Sequence, residues 1–439
     1  MIQRHNRRAL ACFLRSLKFS LSLSVVAGCA SYAGAKPAAG AAAATGEASI
    51  QLIRFGDLKP EGTKLTTCWD ALGIDDRQRV YVAFSDQNDQ APDDTVIFRY
   101  DSRSGARELL GTLRQVSRSE GNLREGETIA KSHVPFREYN GKLYFASHDY
   151  HSYKDRKNIL TRRGGHFYAF DLATDTFEDL SKSDPDGVSV QHQGIIGLAV
   201  LPQHGRLVGF TFPFGDLLTY DLERRRATYY EGVAEHRESG KPSRQIIGTS
   251  KGKVYFSYYD RRSAPIYVFD VDTGEIRKTE NHYRFGMVYG ALPTRDGRKV
   301  YVVDLFGNLY AFHVDREWLE ELGSLLPPEQ VEKGVEVTIC YAVALSRDEK
   351  KLYTFPSTFG SGPALRLYEH DLETGRKRQV ADFAPVLDGS TTGKGAGDRK
   401  GRISGGVVDE QGRMYFGYHE GGDEGRNAVL LQVSLTEKR

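Results

Sequence analysis

The chain has 439 residues, too many for one small core, and it is rich in Gly (46), Tyr (24) and Phe (22) while holding only 3 Met, a composition that favours β structure. No apolar run reaches the roughly 18 residues of a membrane-spanning helix, which excludes a polytopic membrane protein. The formal net charge of +2 includes five basic side chains between Arg4 and Lys18. Without them the basic residues become fewer than the acidic ones, which argues against a nucleic-acid partner.

The segment from Met1 to Cys29 has the order of an export signal. A basic part is followed by an apolar stretch from Phe19 to Gly28 that ends in Val26-Ala27-Gly28-Cys29. This tetrapeptide is similar to the bacterial lipoprotein box, so Cys29 is the predicted lipidation site. The protein is then expected on the periplasmic or cell-surface side of a bacterial membrane. Ordinary signal cleavage after Ala33-Gly34-Ala35 is the alternative.

Residues 30–48 are almost all Ala, Gly, Ser and Lys, which predicts a flexible tether, and the folded domain is expected from 49 to 439. The tether would leave the lipid as the only contact with a membrane. Two cysteines remain beyond it, Cys68 and Cys340. They precede the repeated residues Tyr81 and Tyr353 by the same interval, so they occupy equivalent positions in different repeats, and we expect both to be free thiols.

A strand–turn–strand unit recurs from Ser49 onward. Its first half is an apolar strand, a tight turn and a strand that carries Tyr or an equivalent, as in Val134–Ala146 and Ala291–Val303. Its second half begins with a strand that ends near aromatic-Asp, as in Phe98–Asp101, and a polar outer strand follows. The second-strand position occurs seven times at broadly similar spacings, at Tyr81, Tyr144, Val208, Tyr255, Tyr301, Tyr353 and Tyr415.

These repeats predict an all-β fold, a seven-bladed β-propeller with four-stranded blades. The last repeat ends without an outer strand, while an unmatched strand, Ser49–Leu58, precedes the first. Placing that strand on the outside of the last blade closes the ring and removes two exposed edges. Arg316–Leu322 is the one segment for which a short helical turn is predicted.

One face of such a propeller carries tight turns, and the other carries the long loops, where binding residues are expected. Polar residues at the starts of first strands and the ends of second strands should meet there around the channel. The predicted ligand-binding residues are His133, His148, His192, Arg244, Tyr289, Tyr341, Arg402 and His419. The four histidines could hold a divalent metal ion in the central channel, or each could bond locally. Arg244 and Arg402 suit a carboxylate-bearing ligand, and the tyrosines suit a sugar or an aromatic group.

The repeat pattern from Ser49 to Leu435 resembles the exported seven-bladed propellers. That group includes YVTN-type and quinoprotein-like repeat proteins and the lyases for virginiamycin B and oligogalacturonate. The oligogalacturonate lyases bind a metal through clustered His and Gln, but the segment Gln-x-x-His-x-His is not found here. Two functions fit the resemblance. The first is a monomeric, lipid-anchored binding protein for a small molecule, a glycan or a protein partner. The second is a metal-dependent lyase or hydrolase that acts on a carbohydrate or a lactone.

Overall fold

The computed structural model describes residues 43–45, 47–86, 93–148, 161–236, 241–259, 265–279, 287–334, 337–358, 365–384, 387, 403–420 and 427–435. These residues belong to one compact unit, which runs from Pro37 to Arg439. Strands dominate it, as the composition predicts. Within the described ranges, no helix is long and apolar enough to span a bilayer.

The first half of the chain forms seventeen strands and one α-helix, α1 (Leu113–Ser119). The strands are β1 (Ala43–Thr45), β2 (Ala48–Ile53), β3 (Leu65–Thr67), β4 (Leu72–Ile74), β5 (Arg79–Asp86), β6 (Asp94–Asp101), β7 (Arg107–Thr112), β8 (Arg137–Tyr139), β9 (Lys142–Ala146), β10 (Gly164–Gly165), β11 (Phe167–Asp171), β12 (Thr176–Asp179), β13 (Val190–Gln191), β14 (Gly194–Leu201), β15 (Arg206–Phe212), β16 (Leu217–Asp221) and β17 (Arg226–Tyr230).

The second half adds sixteen strands and α2 (Pro328–Glu332). The strands are β18 (Lys241–Pro242), β19 (Ile247–Gly248), β20 (Lys253–Tyr259), β21 (Ile266–Asp270), β22 (Ile276–Lys278), β23 (Val288–Pro293), β24 (Lys299–Asp304), β25 (Asn308–His313), β26 (Trp318–Ser324), β27 (Val337–Leu345), β28 (Lys351–Thr358), β29 (Arg366–Asp371), β30 (Lys377–Asp382), β31 (Ile403–Val408), β32 (Met414–Glu420) and β33 (Asn427–Leu435).

Most strands pair antiparallel with their sequence neighbours, and three sheets have four strands each: β12-β11-β9-β8, β14-β15-β16-β17 and β23-β24-β25-β26. Each predicted second-strand anchor lies in the strand that pairs with the first strand of its repeat, for example Tyr301 in β24 and Tyr415 in β32. These strands are buried because they lie between two neighbouring strands of their own sheet and pack against the next sheet. A parallel bridge from Ala342 to Gly405 joins β27 and β31, so the strands of the last two repeats belong to one nine-stranded sheet.

The N-terminal strand pairs with the last strand. β2 runs antiparallel to β33 over six residue pairs, from Ala48–Leu435 to Ile53–Leu430. The strand begins inside the segment predicted as tether, and β1 pairs with it antiparallel from Ala43–Ile50 to Thr45–Ala48. Leu52 is half-buried, whereas Phe55 is fully buried and stacks on Phe98 at a centroid distance of 4.6 Å.

The predicted helical turn at Arg316–Leu322 is wrong. Residues 318–324 form β26, the outer strand of its sheet, and pair with β25 from His313–Trp318 to Asn308–Ser324. Trp318 is half exposed on this outer strand. The charged, leucine-containing pattern that suggests a helix here is also the pattern of a strand with one solvated face.

A buried charge network holds α1 and the segment after it against β11 and β12. His166 bonds through Nδ1 to Asp179 at 3.0 Å and through Nε2 to Glu127 at 3.2 Å, and Asp179 also accepts from Ser117 at 2.7 Å. Glu127 is paired on its other oxygen with Arg163. The segment that continues from Glu127 leads directly to Lys131 and His133, so this network positions both of them.

His166 is held in its charged form. Burial on its own would lower the pKa of the imidazole, but the charge of Asp179 and the bonds to Asp179 and Glu127 raise it to about 9, above the ordinary 6.5. An imidazolium that donates from both nitrogens satisfies two buried carboxylates at once. Because the pKa is higher in the folded state, the resulting stability is complete below pH 6.5 and is lost as the pH rises through 9.

We expect His166→Gln to lower the free energy of unfolding at pH 6.5 by about 3–5 kcal/mol, because it removes the cation between two buried carboxylates. The wild-type protein should lose stability between pH 6.5 and about 9, and this loss should be smaller in the variant. Urea unfolding at a series of pH values measures both effects. Identical pH dependence in the two proteins would contradict the assignment of a charged His166.

Candidate functional site

Five of the eight predicted ligand-binding residues lie together where the first strands of several sheets begin. They are His133, His148, Arg244, Tyr289 and Tyr341, and the structure adds Trp69 and Lys131 to them. We call these seven residues the channel cluster. Trp69 precedes β4 and Arg244 precedes β19, while Tyr289 lies in β23. The cluster therefore draws on sheets that are far apart in sequence.

Arg244 is its centre. The guanidinium carbon lies 4.8 Å from the ring centroid of Tyr341 and 5.1 Å from that of Tyr289. A third ring, that of Trp69, has its centroid 5.6 Å from the same guanidinium carbon. Each contact is within the range of a cation–π interaction, and such contacts favour arginine because its planar cation stacks on ring faces. The three rings thus restrict where the Arg244 side chain can lie.

A hydrogen bond further fixes the guanidinium. Nη1 of Arg244 donates to Nδ1 of His133 at 3.3 Å. An imidazole nitrogen accepts only when it carries no proton, so His133 has its proton on Nε2 in this arrangement. His133 is buried, and its ring lies 4.9 Å from Trp69 and 4.7 Å from His148.

The backbone around Arg244 is bonded to the neighbouring sheet. The amide of Arg244 donates to the carbonyl of Val288 at 3.0 Å, and the amide of Val288 donates to the hydroxyl of Ser243 at 3.3 Å. These bonds place Arg244 beside Tyr289, the residue after Val288. Tyr289 and Tyr341 in turn meet edge to face at 4.7 Å.

Trp69 is held from the last sheet of the chain. The residue before it, Cys68, donates its amide to Nε2 of His419 at 3.2 Å, and its carbonyl accepts from Ser404 at 2.6 Å. On the other side, Asp70 adopts the left-handed conformation at φ 78° and accepts from the amide of Gly405 at 3.0 Å. Bonds on both sides of Trp69 therefore fix its backbone relative to β31 and β32.

His148 lies against the start of the next sheet. Its ring contacts Phe212 at 5.4 Å, and its amide donates to the carbonyl of Lys131 at 2.7 Å. A Cβ at Gly194 would come within 2.0 Å of the His148 ring, so only glycine leaves room for it. These contacts fix the position of His148, and its ring contact with His133 connects it to the rest of the channel cluster.

The other predicted site residues are elsewhere or outside the described part. His192 has a positive φ of 59° and bonds through Nδ1 to the carbonyl of Arg162 at 2.6 Å, which uses one of its nitrogens in a loop contact. His419 is fully buried and accepts from Cys68. Arg402 and Cys29 lie outside the described residues.

The suggested four-histidine metal site is not formed in the described part of the chain. His133 contacts His148, but the bonds of His192 and His419 tie these two residues to Arg162 and Cys68 instead. Across the described ranges, no three His, Cys, Asp or Glu side chains are grouped so that they could hold a metal ion. The channel cluster is instead a set of cations and aromatic rings.

Trp69 and Lys131 were missed from the sequence. Nζ of Lys131 lies 5.0 Å from the Trp69 ring, so two cationic side chains contact this one indole. Their positions in the repeats could have indicated them, because Lys131 lies two residues before His133 and Trp69 lies in the corresponding region of the first repeat.

Both cysteines are free and buried, as predicted. Burial raises the pKa of each thiol to about 12, and the nearby charge of Asp70 acts in the same direction. A thiol with so high a pKa is a poor nucleophile at neutral pH. Cys68 and Cys340 therefore contribute packing rather than reactivity, although Cys68 is the neighbour of Trp69.

No protein-family model matches the chain, and no curated protein matches it. Solved structures do. The β-propeller domain of Cps50 (Swd1) from Myceliophteria thermophila is 13% identical with a TM-score of 0.52, over 85% of this chain and 98% of that one. Raptor from Chaetomium thermophilum is 12% identical with a TM-score of 0.49, over 86% of this chain and 30% of that one. The likeness to the Cps50 domain confirms the predicted β-propeller fold, while membership of the exported YVTN and quinoprotein-like group stays a prediction.

The packing of Trp69 can be tested by fluorescence, because Trp318→Phe leaves it as the only tryptophan. Trp69 is buried between Arg244 and Lys131, so we expect blue-shifted emission and weak quenching by acrylamide. Arg244→Ala in that background should shift the emission to the red and increase quenching. Arg224, whose side chain is 82% exposed, provides the control in Arg224→Ala. Unchanged emission in Arg244→Ala would contradict the described contact.

Proposed function

We propose that this β-propeller is a binding protein that takes a carboxylate-bearing ligand at the channel cluster, with Arg244 as the principal contact. The observation that carries the proposal is the guanidinium held by three aromatic rings and by His133. Arg244 is half-buried while the other six residues of the cluster are buried, so its guanidinium is the most accessible group of the cluster. A guanidinium that is already positioned loses little conformational entropy when it binds a carboxylate in bidentate fashion.

The remaining residues of the cluster favour an acidic sugar as the ligand. Lys131 supplies a second positive charge, because its Nζ contacts the same Trp69 ring that Arg244 contacts. His133 and His148 add imidazole groups that can bond to hydroxyls, and both have fixed positions. A uronate unit carries one carboxylate and several hydroxyls, which matches this combination of groups. A free organic acid or an acidic segment of a protein would offer the carboxylate without the ring of hydroxyls.

We expect calorimetry to show that the full chain binds trigalacturonate and that Arg244→Gln weakens binding at least about tenfold, since a charge-assisted hydrogen bond is worth about 1.5–3 kcal/mol. Arg244→Lys should fall between the two, because it keeps the charge and loses the planar fork. Arg224→Gln, at an exposed position, is the matched control.

Two further titrations identify the source of the carboxylate. Neutral galactotriose should bind weakly or not at all, and tetraglutamate should bind less tightly than trigalacturonate. Tighter binding of the peptide would replace the glycan by a protein partner while keeping the role of Arg244. Equal binding of trigalacturonate by the wild type and Arg244→Gln would sink the proposal.

We also infer that the sheets form a seven-bladed ring closed by β2 as the outer strand of the last blade. The six residue pairs between β2 and β33 support this closure, as does the packing of Phe55 onto Phe84 and Phe98 of the first large sheet. Phe55 would then join the last blade to the first across the closure.

Phe55→Ala should therefore lower the free energy of unfolding by about 3–5 kcal/mol, the usual cost of removing a buried phenylalanine. Phe306 is 49% exposed, so Phe306→Ala should change it by less than about 0.5 kcal/mol. Urea denaturation of the two variants provides the comparison. Equal midpoints would argue against a closure that depends on Phe55.

We propose further that Cys29 carries lipid and that the domain is tethered outside a bacterial cytoplasmic membrane, on the strength of the Val26-Ala27-Gly28-Cys29 box. Mass spectrometry of the mature protein should find an acylated cysteine at its N-terminus. A mature chain that starts at Lys36 would show ordinary signal cleavage instead.

A further inference from the structure

A cavity of about 330 Å³ lies among the first strands of the propeller. Its size is that of a small-molecule site. Residues of β4, β8, β23, β27 and β31 line it, and so it is a feature of the channel rather than of one sheet. The lining residues used in the argument are Ile74, Arg137, Tyr289, Leu292, Tyr341 and Val407.

The cavity begins beside the channel cluster, where Asp70 and Gln245 line it, and extends along the first strands to Arg137 and Glu138. Arg137 and Glu138 belong to β8, which is followed by the tight turn at Asn140-Gly141, whereas Lys131 and His133 precede that strand. Neither Trp69 nor Arg244 lines the cavity, while Tyr289 and Tyr341 belong to both regions. The two tyrosines thus lie between the channel cluster and the cavity.

Arg137 is the cationic side chain on this cavity, and its environment differs from that of the other half-buried arginines. Arg99 pairs with Asp175 at 2.6 Å and Arg107 pairs with Asp57 at 2.8 Å. Within the described residues, no carboxylate forms an ion pair with Arg137, and burial alone lowers the pKa of its guanidinium. A desolvated cation without a counter-charge costs stability, and proteins retain such groups mainly where they bind something.

The two carboxylates on the cavity are otherwise engaged or exposed. Asp70 accepts a hydrogen bond from the amide of Gly405 at 3.0 Å. Glu138 is exposed as a residue, and partial burial of its carboxyl together with the charges of Asp76 and Asp75 raises its pKa. Neither carboxylate forms an ion pair with Arg137, so its guanidinium is a charged group on the cavity without an ion-pair partner among the described residues.

Many of the remaining lining residues are apolar or aromatic, and Gln245 adds a polar amide. Ile74, Leu292 and Val407 come from three different first strands, and Tyr289 and Tyr341 close the end towards the channel cluster. A ligand that fits would therefore carry an anionic group at one end and an apolar or aromatic body at the other.

We propose that this cavity is a second binding site, for a small organic anion whose carboxylate pairs with Arg137 and whose apolar or aromatic body lies between Ile74, Leu292 and the two tyrosines. The site goes beyond the acidic-sugar function proposed for Arg244, because it has a different cation and lies along the first strands beside the channel cluster. A propeller with both sites would bind two ligands along one channel.

Benzoate is a suitable probe, since it combines a carboxylate with a flat apolar body. Calorimetry with the full chain should detect benzoate binding, and Arg137→Gln should weaken it at least about tenfold through the loss of a charge-assisted pair. Benzyl alcohol, which has the same ring without the charge, should bind no better to the wild type than benzoate binds to the variant. Arg224→Gln is again the exposed control.

Thermal unfolding adds a readout that does not depend on calorimetry. Because Arg137 has no ion-pair partner among the described residues, Arg137→Met should raise the melting temperature of the ligand-free protein. Benzoate should raise the melting temperature of the wild type and leave that of Arg137→Met unchanged. A variant that melts lower and still responds to benzoate would overturn the inference.

Arg244→Gln separates this site from the channel cluster. It should keep benzoate binding while losing trigalacturonate, and Arg137→Gln should do the reverse. If benzoate binding is lost in Arg244→Gln and kept in Arg137→Gln, the anion binds at the channel cluster and the cavity proposal is wrong. If both variants bind benzoate like the wild type, neither cation is the contact, and the second site is again refuted.

Discussion

The backbone pairing of β2 with β33 brings the two ends of the described chain together, and the position of the channel cluster depends on it. A four-stranded sheet that lacks an outer strand leaves a row of unpaired amides and carbonyls at its edge. β2 satisfies that edge along six residue pairs, and the chain then passes through Phe55 into the first large sheet. Farther along, the same segment reaches Cys68, which is bonded to Ser404 and His419 of the last sheet. Trp69 is therefore fixed by contacts between the first and last parts of the sequence.

Buried and half-buried charges in this protein fall into two kinds. Around His166 each charge has its partner, since the imidazolium lies between Asp179 and Glu127, and Arg163 pairs with Glu127. Such a network stabilises the segment that leads to His133. Around the channel the cations contact π-systems and an imidazole, or, as with Arg137, form no ion pair with a described carboxylate. The contrast indicates that the first kind serves folding, and we attribute the second kind to binding.

Much of the fold could be predicted from the sequence because its repeats are local. The alternating apolar residues, the turns at Asn140-Gly141 and similar pairs, and the recurrence of the anchor tyrosines each depend on residues close together in the chain. The helical turn at Arg316–Leu322 failed because an outer strand with one solvated face has the same composition as a short amphipathic helix. The predicted tether, residues 30–48, includes β1 and the first residue of β2. An alanine-rich composition does not distinguish a flexible segment from a paired strand.

The candidate site was predicted only in part. The rule that ligand-binding residues lie at the starts of first strands found Arg244, Tyr289 and Tyr341, which meet although Arg244 and Tyr341 are far apart in the chain. The same rule predicted both His133 and His192 as site residues. His192 lies outside the channel cluster because its positive φ and its bond to the carbonyl of Arg162 hold it in a loop. The contacts of Trp69 and His166 could not be predicted either, because their partners are distant in the sequence and meet them only in the folded structure.

The most direct measurement of the central claim is a crystal structure of the protein soaked with trigalacturonate. The account predicts a uronate carboxylate within hydrogen-bonding distance of the Arg244 guanidinium, about 2.7–3.0 Å, with the rings of Tyr289, Tyr341 and Trp69 still around it. A uronate bound through other residues, with the Arg244 side chain making no contact to it, would contradict the account.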